Sequence, residues 1–454
     1  MIFFATSTKI KVFLRKAQHD ARTQSHLMGL VTAFLLHFGR MSASQAGQAI
    51  RTEARHRANV ARFLMQCRWS SSWTQCYWMA VLALEQERRR SGDWFFLLDQ
   101  TFCSQQGSKT ENTYSMGNRK RRPRKGRRYN RKKYRRKRVH AFVMGLLITP
   151  GGLRLPVCKS YFTKEYCTQK KRRYRTQTEL GAELVNELRV PLRANVYVLG
   201  DTAYEAQVIR QACQERNYRW IVPLNPERVL AGAKPRPKVR TLVSEMTPED
   251  FVAVRLHPHQ GRFVAQRRLS TCRIGRKLPS RTFYVHAEIR EVHSVGVVQL
   301  VFSCKEKPST DKAIPLAKIL MTNDLSRKAA ELVEMYSLRW QIELFFKELK
   351  STLGCHQYRF RQYEKIETWM QIALLAFLCL EWIRGRHLRD RRLTAKQKQW
   401  WESQRTHGLC QAVRQTAEAK DLEELARLTQ TKTGLKKLKR TLRQAQPLEY
   451  RMAS

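Results

Sequence analysis

Three acidic residues of this sequence lie where a fold could bring them together. Asp99 follows the apolar run WFFLL, Asp201 follows the run VYVLG, and Glu343 lies within a stretch of helical periodicity. Aspartates at the ends of two strands can meet at one edge of a sheet, and a helix packed against that sheet can add a glutamate. Three converging carboxylates repel one another, so we expect them to bind divalent cations through oxygen.

Such a site has a defined chemistry. Mg²⁺ binds carboxylates together with water and phosphate oxygens. Two such ions about 3.5–4 Å apart can activate a nucleophile and stabilise the leaving oxygen of an in-line displacement at phosphorus. The three carboxylates therefore indicate phosphodiester chemistry.

The glutamate belongs to the stretch YSLRWQIELFFKELK, which begins at Tyr336. At about 100° per residue, Tyr336, Arg339, Glu343 and Lys350 share one narrow helix face, whereas Glu348 projects well away. If Glu343 binds metal, Arg339 and Lys350 flank the position of a scissile phosphate and can grip neighbouring phosphates. The alternative is a surface helix with an i, i+4 ion pair worth roughly 0.2–0.5 kcal/mol, and the helix by itself favours that alternative.

The charge of the chain favours a nucleic-acid partner. The 454 residues include 87 Lys and Arg against 37 Asp and Glu, a net charge of +50 with a pI near 10.6. Such a surplus predicts a polyanionic partner, because neutralising phosphates releases counterions. Solubility through charge is one alternative. A membrane surface is a weaker one, because no apolar run approaches the ~20 residues that span a bilayer, and we expect the stretch 369–383 to be a buried helix.

Much of this charge lies in one basic run. Fifteen of the 20 residues from Arg119 to Arg138 are Lys or Arg. We place the run in a basic excursion, 118–138, between two predicted strands, because blocks of like charge cannot be buried. We expect it to contact phosphates; a solvated loop or a localisation-like signal is the alternative.

Cysteine usage and the first residues predict the compartment. The eleven cysteines include no CxxC pair, which is typical neither of a disulfide framework nor of a zinc site. The opening MIFFATSTKIKVFLRK has no basic leader before its apolar residues and does not resemble a signal peptide. We therefore expect a reduced, cytoplasmic protein.

The pattern of elements predicts an interrupted α/β core with helical segments on both sides. Strands are predicted at 94–99, 139–148, 152–162 and 196–201, with a helix at 176–189. An inserted β-rich domain is the economical explanation for the distance between Asp201 and Glu343 along the chain. The predicted segments are a helical N-terminal DNA-binding domain at 1–90, the first part of the core at 91–205, the β-rich insertion at 206–320, the second part of the core at 321–388, and a basic helical C-terminal segment at 389–454.

Two short helices in the N-terminal domain suggest a helix-turn-helix. The stretch SASQAGQAI is followed, after a break, by EARHRANVARFLMQ, which carries Arg55, Arg57 and Arg62. In a helix-turn-helix the second helix enters a DNA groove, so these arginines are predicted DNA contacts. A plain helical hairpin with a solvated basic face explains the spacing equally well.

The order of these features resembles a known family. The spacing Y-(2)-R-(3)-E-(6)-K is similar to the signature of the insertion sequence 4 family of bacterial DDE transposases, and Tyr336, Arg339, Glu343 and Lys350 fill it. A TN pair at Thr322 and Asn323 is also similar to that family. The resemblance extends over most of the chain, from the helical N-terminal part through Asp99 and Asp201 to the signature helix.

The resemblance implies an RNase H-like catalytic core, a mixed sheet flanked by helices. Asp99, Asp201 and Glu343 would form the catalytic triad and bind two Mg²⁺ (or Mn²⁺) ions per active site. The other three signature residues would contact DNA near the cleaved end. The triad and the signature cations thus have separate implied roles.

The resemblance also implies a reaction and partners. The enzyme would bind double-stranded DNA at the terminal inverted repeats of its element, cut it, and join the ends to target DNA through a hairpin intermediate. A homodimer in a synaptic complex, associated with the bacterial nucleoid, is a further implication.

The sequence departs from the family at two positions. Many relatives have a basic residue after the second aspartate, where this chain has Thr202. The family uses an aromatic side chain of the insertion to stabilise a flipped base; Trp220 is the only tryptophan of 206–320, but it lies in a predicted core strand.

Two other functions remain open at this stage. One is an RNase H-like nuclease that cuts DNA without joining it. The other is a transposase-derived repressor that binds DNA without catalysis, although the three carboxylates argue against it because a binding protein does not need them.

Overall fold

A computed structural model describes most of the predicted core and parts of the flanking segments. The described residues are 21–36, 57–67, 92–105, 109–116, 137–232, 236–256, 281–310, 314–404 and 406–415, with positions 42, 46, 82 and 433. In the N-terminal part, helices α1 (Ala21–Leu36) and α2 (Arg57–Gln66) are described, in agreement with the predicted helical character.

The described strands form one mixed sheet of ten strands. Its order is β2-β3-β1-β5-β6-β10-β9-β8-β7, with β4 paired to β3. The strands are β1 (Trp94–Gln105), β2 (Tyr114–Met116), β3 (Lys137–Ile148), β4 (Arg154–Tyr161), β5 (Val196–Leu199), β6 (Arg219–Pro223), β7 (Val252–Leu256), β8 (Arg281–Val292), β9 (Gly296–Cys304) and β10 (Leu316–Thr322). The predicted mixed α/β architecture is thus confirmed.

The first half of the sheet contains the predicted core strands. β1 pairs antiparallel with β3 and parallel with β5, and β5 pairs parallel with β6. β3 is buried from Val139 to Ile148, so both faces of the sheet are covered there. Helix α3 (Lys164–Gln169) precedes α4 (Gln177–Asn186), whose capping box joins Thr176 and Glu179 and which contacts β3 and β4.

The second half of the sheet comes from the predicted insertion. The segment 206–320 contains α5 (Gln207–Glu215), α6 (Val239–Glu245) and strands from β6 onward, and these strands continue the core sheet directly. β10, which begins inside this segment and pairs with both β6 and β9, was not predicted. The stretch RFVAQRRLS at 262–270, which the sequence also predicts as a strand of the insertion, lies outside the described residues. The division of the chain into five segments stays a prediction.

The signature stretch forms two helices, so the prediction of one continuous helix was wrong. α7 (Ala329–Ser337) ends before Leu338, and α8 (Trp340–Ser351) begins after Arg339. Both intervening residues keep right-handed helical dihedrals, but their N–H groups donate to the third residue back, Leu338 to Met335 and Arg339 to Tyr336, each at 3.0 Å. This tighter winding makes a joint in the helix beside the predicted site.

The predicted buried helix at 369–383 lies within α9 (Tyr363–Arg389). α9 is long and apolar enough to cross a membrane by length and composition, but 89% of its apolar window is buried inside the protein. It contacts α1, α2, β4 and α10 (Ala395–Ser403), as expected of a core helix. Every cysteine in the described part of the chain is a free thiol.

Candidate active site

Asp99 lies where β1 loses one of its two neighbours. β5 pairs with β1 only as far as Leu97, opposite Leu199, whereas β3 stays paired from Phe95 to Gln105. The predicted end of the strand at Asp99 was therefore wrong, because the antiparallel partner carries β1 six residues further. Asp99 nevertheless lies just beyond the carboxyl end of β5, which is where ligands bind in open α/β sheets.

Asp201 lies two residues beyond β5, in the turn that leaves this strand. The strand ends at Leu199, not at Asp201 as predicted, and Asp201 caps a short 3₁₀ turn by accepting a 2.9 Å hydrogen bond from the Ala203 N–H. Gly200 permits this turn, because a Cβ there would lie 2.6 Å from Cβ of the buried Tyr204. Asp99 and Asp201 thus belong to the same edge of the sheet.

Glu343 reaches the same place from α8, and an arginine connects it to Asp99. The Arg339 guanidinium donates to Glu343 Oε1 at 2.6 Å and to Asp99 Oδ2 at 3.5 Å. Burial works against the charge of Arg339, but Tyr336, Glu343 and Asp99 outweigh it and raise the arginine's pKa. The i, i+4 pair is therefore present, but it belongs to a bridge between two of the predicted catalytic carboxylates rather than to a solvated surface.

The other two carboxylates act electrostatically on Asp99. The pKa of Asp99 is raised from 3.8 to about 6, mainly by burial and in addition by repulsion from Asp201 and Glu343. The Gln100 N–H, which donates to Asp99 Oδ1 at 2.7 Å, and the charge of Arg339 oppose the rise. The fold thus collects more negative charge at this sheet edge than Arg339 compensates.

Tyr336 connects the end of α7 to the residue before Asp201. Its hydroxyl donates to the Gly200 carbonyl oxygen at 3.3 Å and accepts from Lys318 Nζ at 3.5 Å. Only 9% of Tyr336 is exposed. The predicted contact of Tyr336 with DNA stays a prediction. In the structure its hydroxyl joins the end of α7 to the residue before Asp201.

Lys350 lies at the other end of α8 from Arg339. Its ammonium is 6.0 Å from the Phe346 ring centroid, and its charge acts on the thiols of Cys103 and Cys355. Cys103 lies four residues beyond Asp99 on β1, about 13 Å along an extended strand. The structure thus groups Tyr336, Arg339 and Glu343, with Lys350 further along β1.

Glu348 points away from Glu343, as the helix geometry predicted, and its side chain is buried in the core. It accepts hydrogen bonds from Arg154 Nη1 at 2.9 Å and from Thr406 Oγ1 at 2.7 Å. Arg154 also pairs with Glu381 at 3.1 Å, and Glu381 in turn pairs with Arg384. The face of α8 opposite Glu343 is therefore anchored in a buried charge network.

Two other groups of predicted residues, in the N-terminal domain and in the basic excursion, lie only partly within the described ranges. Arg55 and the side chain of Arg57 lie outside the described residues, and Arg62 is exposed on α2. Of the basic excursion only its last two residues are described, and there Arg138 donates to Thr113 Oγ1 at 2.6 Å.

The donor set fits a hard divalent cation. Three carboxylates supply only oxygen ligands, as Mg²⁺ and Mn²⁺ prefer. Such an ion would neutralise the negative charges that repel one another at Asp99. Within the described ranges, no three His, Cys, Asp or Glu side chains are already arranged to hold a metal ion. Arg339 provides the positive charge between Asp99 and Glu343 instead.

Lys318 was not predicted as a site residue, and Asn323 had no predicted role. Lys318 belongs to the unpredicted β10, and it interacts electrostatically with Asp201 and Glu343. Asn323 Oδ1 accepts from the backbone N–H of Trp220 at 2.9 Å, which ties the end of β10 to β6. Trp220 itself is buried, 5% exposed, as its predicted strand required. An apolar run next to a TN pair was the only signal for β10.

Comparison with known proteins identifies the family. A comparison with curated proteins finds no significant match. The family model of the transposase DDE domain matches residues 90–379, which contain all three carboxylates and the whole signature stretch. This match covers more than half of the chain, and the protein therefore belongs to the transposase DDE domain family.

Proposed function

We propose that this protein is a DNA transposase of the insertion sequence 4 type. It would cut DNA at the terminal inverted repeats of an insertion sequence and transfer the ends into target DNA by a cut-and-paste route with a hairpin intermediate. Family membership implies a transposase enzyme that acts on DNA. The observation that carries the proposal is that Asp99 and Glu343, from separate elements, share Arg339, while Asp201 and Glu343 both act electrostatically on Asp99.

Each of the three carboxylates has a defined place in this proposal. Asp99, Asp201 and Glu343 would hold Mg²⁺ or Mn²⁺, two ions per site, which supply an activated nucleophile and charge stabilisation at the leaving oxygen. Asp99 is on a strand that is paired with β3 from Phe95 to Gln105, and Asp201 is fixed by its cap, so the separation of these donors is set by the backbone. Such preorganised positions are what an in-line displacement requires.

The cations around the carboxylates would bind the DNA. Arg339 would exchange its carboxylate partners for a phosphate, which its planar guanidinium can contact through two N–H groups. Lys350 would contact the DNA backbone further along β1. Tyr336 would hold α7 and α8 in position relative to Asp201. In the N-terminal domain, Arg55, Arg57 and Arg62 would bind the repeat.

The remaining parts of the proposal concern assembly and location. Two copies would form a synaptic complex on paired element ends, each with its own site. The basic excursion would add phosphate contacts to end or target DNA. The protein would act in the bacterial cytoplasm, at the nucleoid.

The test is a cleavage and joining assay. Purified protein is incubated with Mg²⁺ and a linear DNA carrying the two inverted repeats that flank its gene, next to Asp99→Ala and Glu343→Ala. Glu165→Ala, which removes an exposed carboxylate on α3, is the matched control. We expect excision and joined product with the unchanged protein and the control, and neither with the two site variants.

The other outcomes separate the alternatives. Cleavage that never gives joined product would identify a nuclease. Tight binding to the repeats without cleavage would identify a repressor. Cleavage that survives in Asp99→Ala would refute the role of the carboxylates.

A further inference from the structure

Lys318 of β10 adds a second cation to the carboxylate cluster, and the proposed function assigns no role to this strand. Its ammonium lies 4.8 Å from the centroid of the Tyr336 ring and donates to the Tyr336 hydroxyl at 3.5 Å. That hydroxyl is in contact with Gly200, the residue before Asp201. Lys318 therefore lies on the Asp201 side of the site, whereas Arg339 lies between Asp99 and Glu343.

The two cations differ in how far their charge is already compensated. Arg339 forms ion pairs with Asp99 and Glu343. Lys318 is exposed and forms no ion pair with any carboxylate in the part of the chain that the structure describes. Among the described residues, its ammonium has a long hydrogen bond and a ring face as contacts, which leave N–H donors available to an incoming anion.

The electrostatics of Lys318 agree with this picture. Partial burial of its ammonium lowers its pKa, and the positive charges of Arg339 and Lys305 act in the same direction. Asp201 and Glu343 oppose the shift without reversing it. A bound phosphate would place a further negative charge beside the ammonium and so favour its charged form.

We propose that Lys318 binds a DNA phosphate next to the scissile bond, on the side of Asp201. The assignment rests on the proposed function, because it takes the three carboxylates as the place where DNA is cut. A lysine suits this role, since its ammonium is a compact point charge that donates in several directions. β9 holds its backbone in place, because Lys318 is paired with Ser303, whose hydroxyl donates to the Lys318 carbonyl oxygen at 2.9 Å.

A competing explanation is that Lys318 only offsets the negative charge of Asp201 and Glu343. In that case its loss would change the carboxylates but not the number of phosphates bound. The salt dependence of DNA binding distinguishes the two roles, because the slope of log K against log salt counts neutralised phosphates and does not respond to charge within the protein.

The test compares Lys318→Ala and Lys318→Arg with a matched lysine variant, Lys164→Ala. Lys164 is also exposed and lies over a tyrosine ring, 5.4 Å from the centroid of Tyr174. It follows β4, on the far side of the sheet order from β10. The probe is a duplex that carries one inverted repeat, bound in Ca²⁺ at a series of salt concentrations and cleaved in Mg²⁺. Thermal unfolding of each variant verifies its fold.

We expect Lys318→Ala to lower the salt slope by about 0.9, the value of one phosphate contact, and Lys164→Ala to leave it unchanged. Cleavage by Lys318→Ala should fall about 10- to 100-fold, the usual effect of losing a hydrogen bond to a charged group. Lys318→Arg should restore most of the slope because it restores the charge.

The slope of log K against log salt tests the phosphate contact of Lys318 independently of cleavage. An unchanged slope in Lys318→Ala overturns it, whether or not cleavage falls. A lowered slope together with an unchanged protein that never cleaves its repeat supports the phosphate contact and refutes the proposed catalysis. Cleavage by the unchanged protein with no effect of Lys318→Ala on slope or rate refutes this inference and leaves the proposed function standing.

Discussion

Replacing Asp99 by asparagine should stabilise the metal-free protein at neutral pH. The carboxyl group of Asp99 has its pKa raised from 3.8 to about 6, first by burial and then by Asp201 and Glu343. A raised pKa means that the folded chain prefers the protonated form. The stability that this preference contributes is complete below pH 3.8, declines as the pH rises between 3.8 and about 6, and is lost above that.

The size of the effect follows from the shift. A rise of about two pKa units corresponds to about 3 kcal/mol, since one unit equals about 1.36 kcal/mol. The side chain is 17% exposed, so solvent screening takes only part of this energy. Asparagine keeps an oxygen that can accept from the Gln100 N–H and removes the charge that Asp201 and Glu343 repel.

The assay is thermal unfolding in the presence of a chelator, at about pH 8 and about pH 4. For a chain of this length we expect Asp99→Asn to raise Tm by a few degrees at the higher pH and to change it little at the lower one. Glu165→Gln, an exposed carboxylate on α3, is the control and should show no such difference. Adding Mg²⁺ should stabilise the unchanged protein more than Asp99→Asn. A lower Tm of Asp99→Asn at the higher pH would refute the crowding of the three carboxylates.

Two further predictions concern the scaffold behind the site. Glu381→Ala removes the carboxylate that the buried Arg384 pairs with and leaves the buried Arg154 paired with Glu348 alone, so it should cost about 3–5 kcal/mol, seen as a large loss of Tm or of soluble protein; an unchanged Tm would contradict the buried network. Gly145→Ala places a Cβ 2.3 Å from Cζ of Phe96 and should cost about 1–3 kcal/mol by overpacking, and a Tm equal to that of the unchanged protein would contradict the close approach of β1 and β3.

The sequence predicted the parts of the site that depend on local pattern. Short apolar runs followed by an aspartate located Asp99 and Asp201 at the correct edge of the sheet, even though β1 continues and β5 stops early. The 3.6-residue period placed Glu343 and Glu348 on different faces of α8, and in the structure they have separate partners, Arg339 and Arg154. These features follow from strand and helix geometry, which a few neighbouring residues determine.

The remaining parts depend on contacts between distant segments. Arg339 bridges Asp99 and Glu343 only because α8 packs beside β1, and no local pattern reveals that second partner. Lys318 was missed because β10 gains its strand character from pairing with β6 and β9. The break between α7 and α8 at Leu338 was not predicted. Leu338 keeps helical dihedrals, so a sequence pattern cannot distinguish the break from a continuous helix.

The buried charge network explains why Glu343 faces the site. Glu348 is five residues further along α8, about 140° around the helix, so anchoring Glu348 in the core turns Glu343 toward the sheet edge. Arg154 supplies the anchor from the first residue of β4, and Glu381 of α9 holds Arg154 on its other side. Rotation of α8 would have to break a buried ion pair, whereas Arg339 can leave its partners by moving one partly exposed side chain. The same helix thus holds its carboxylate rigidly and leaves its arginine able to change partner when an anion arrives.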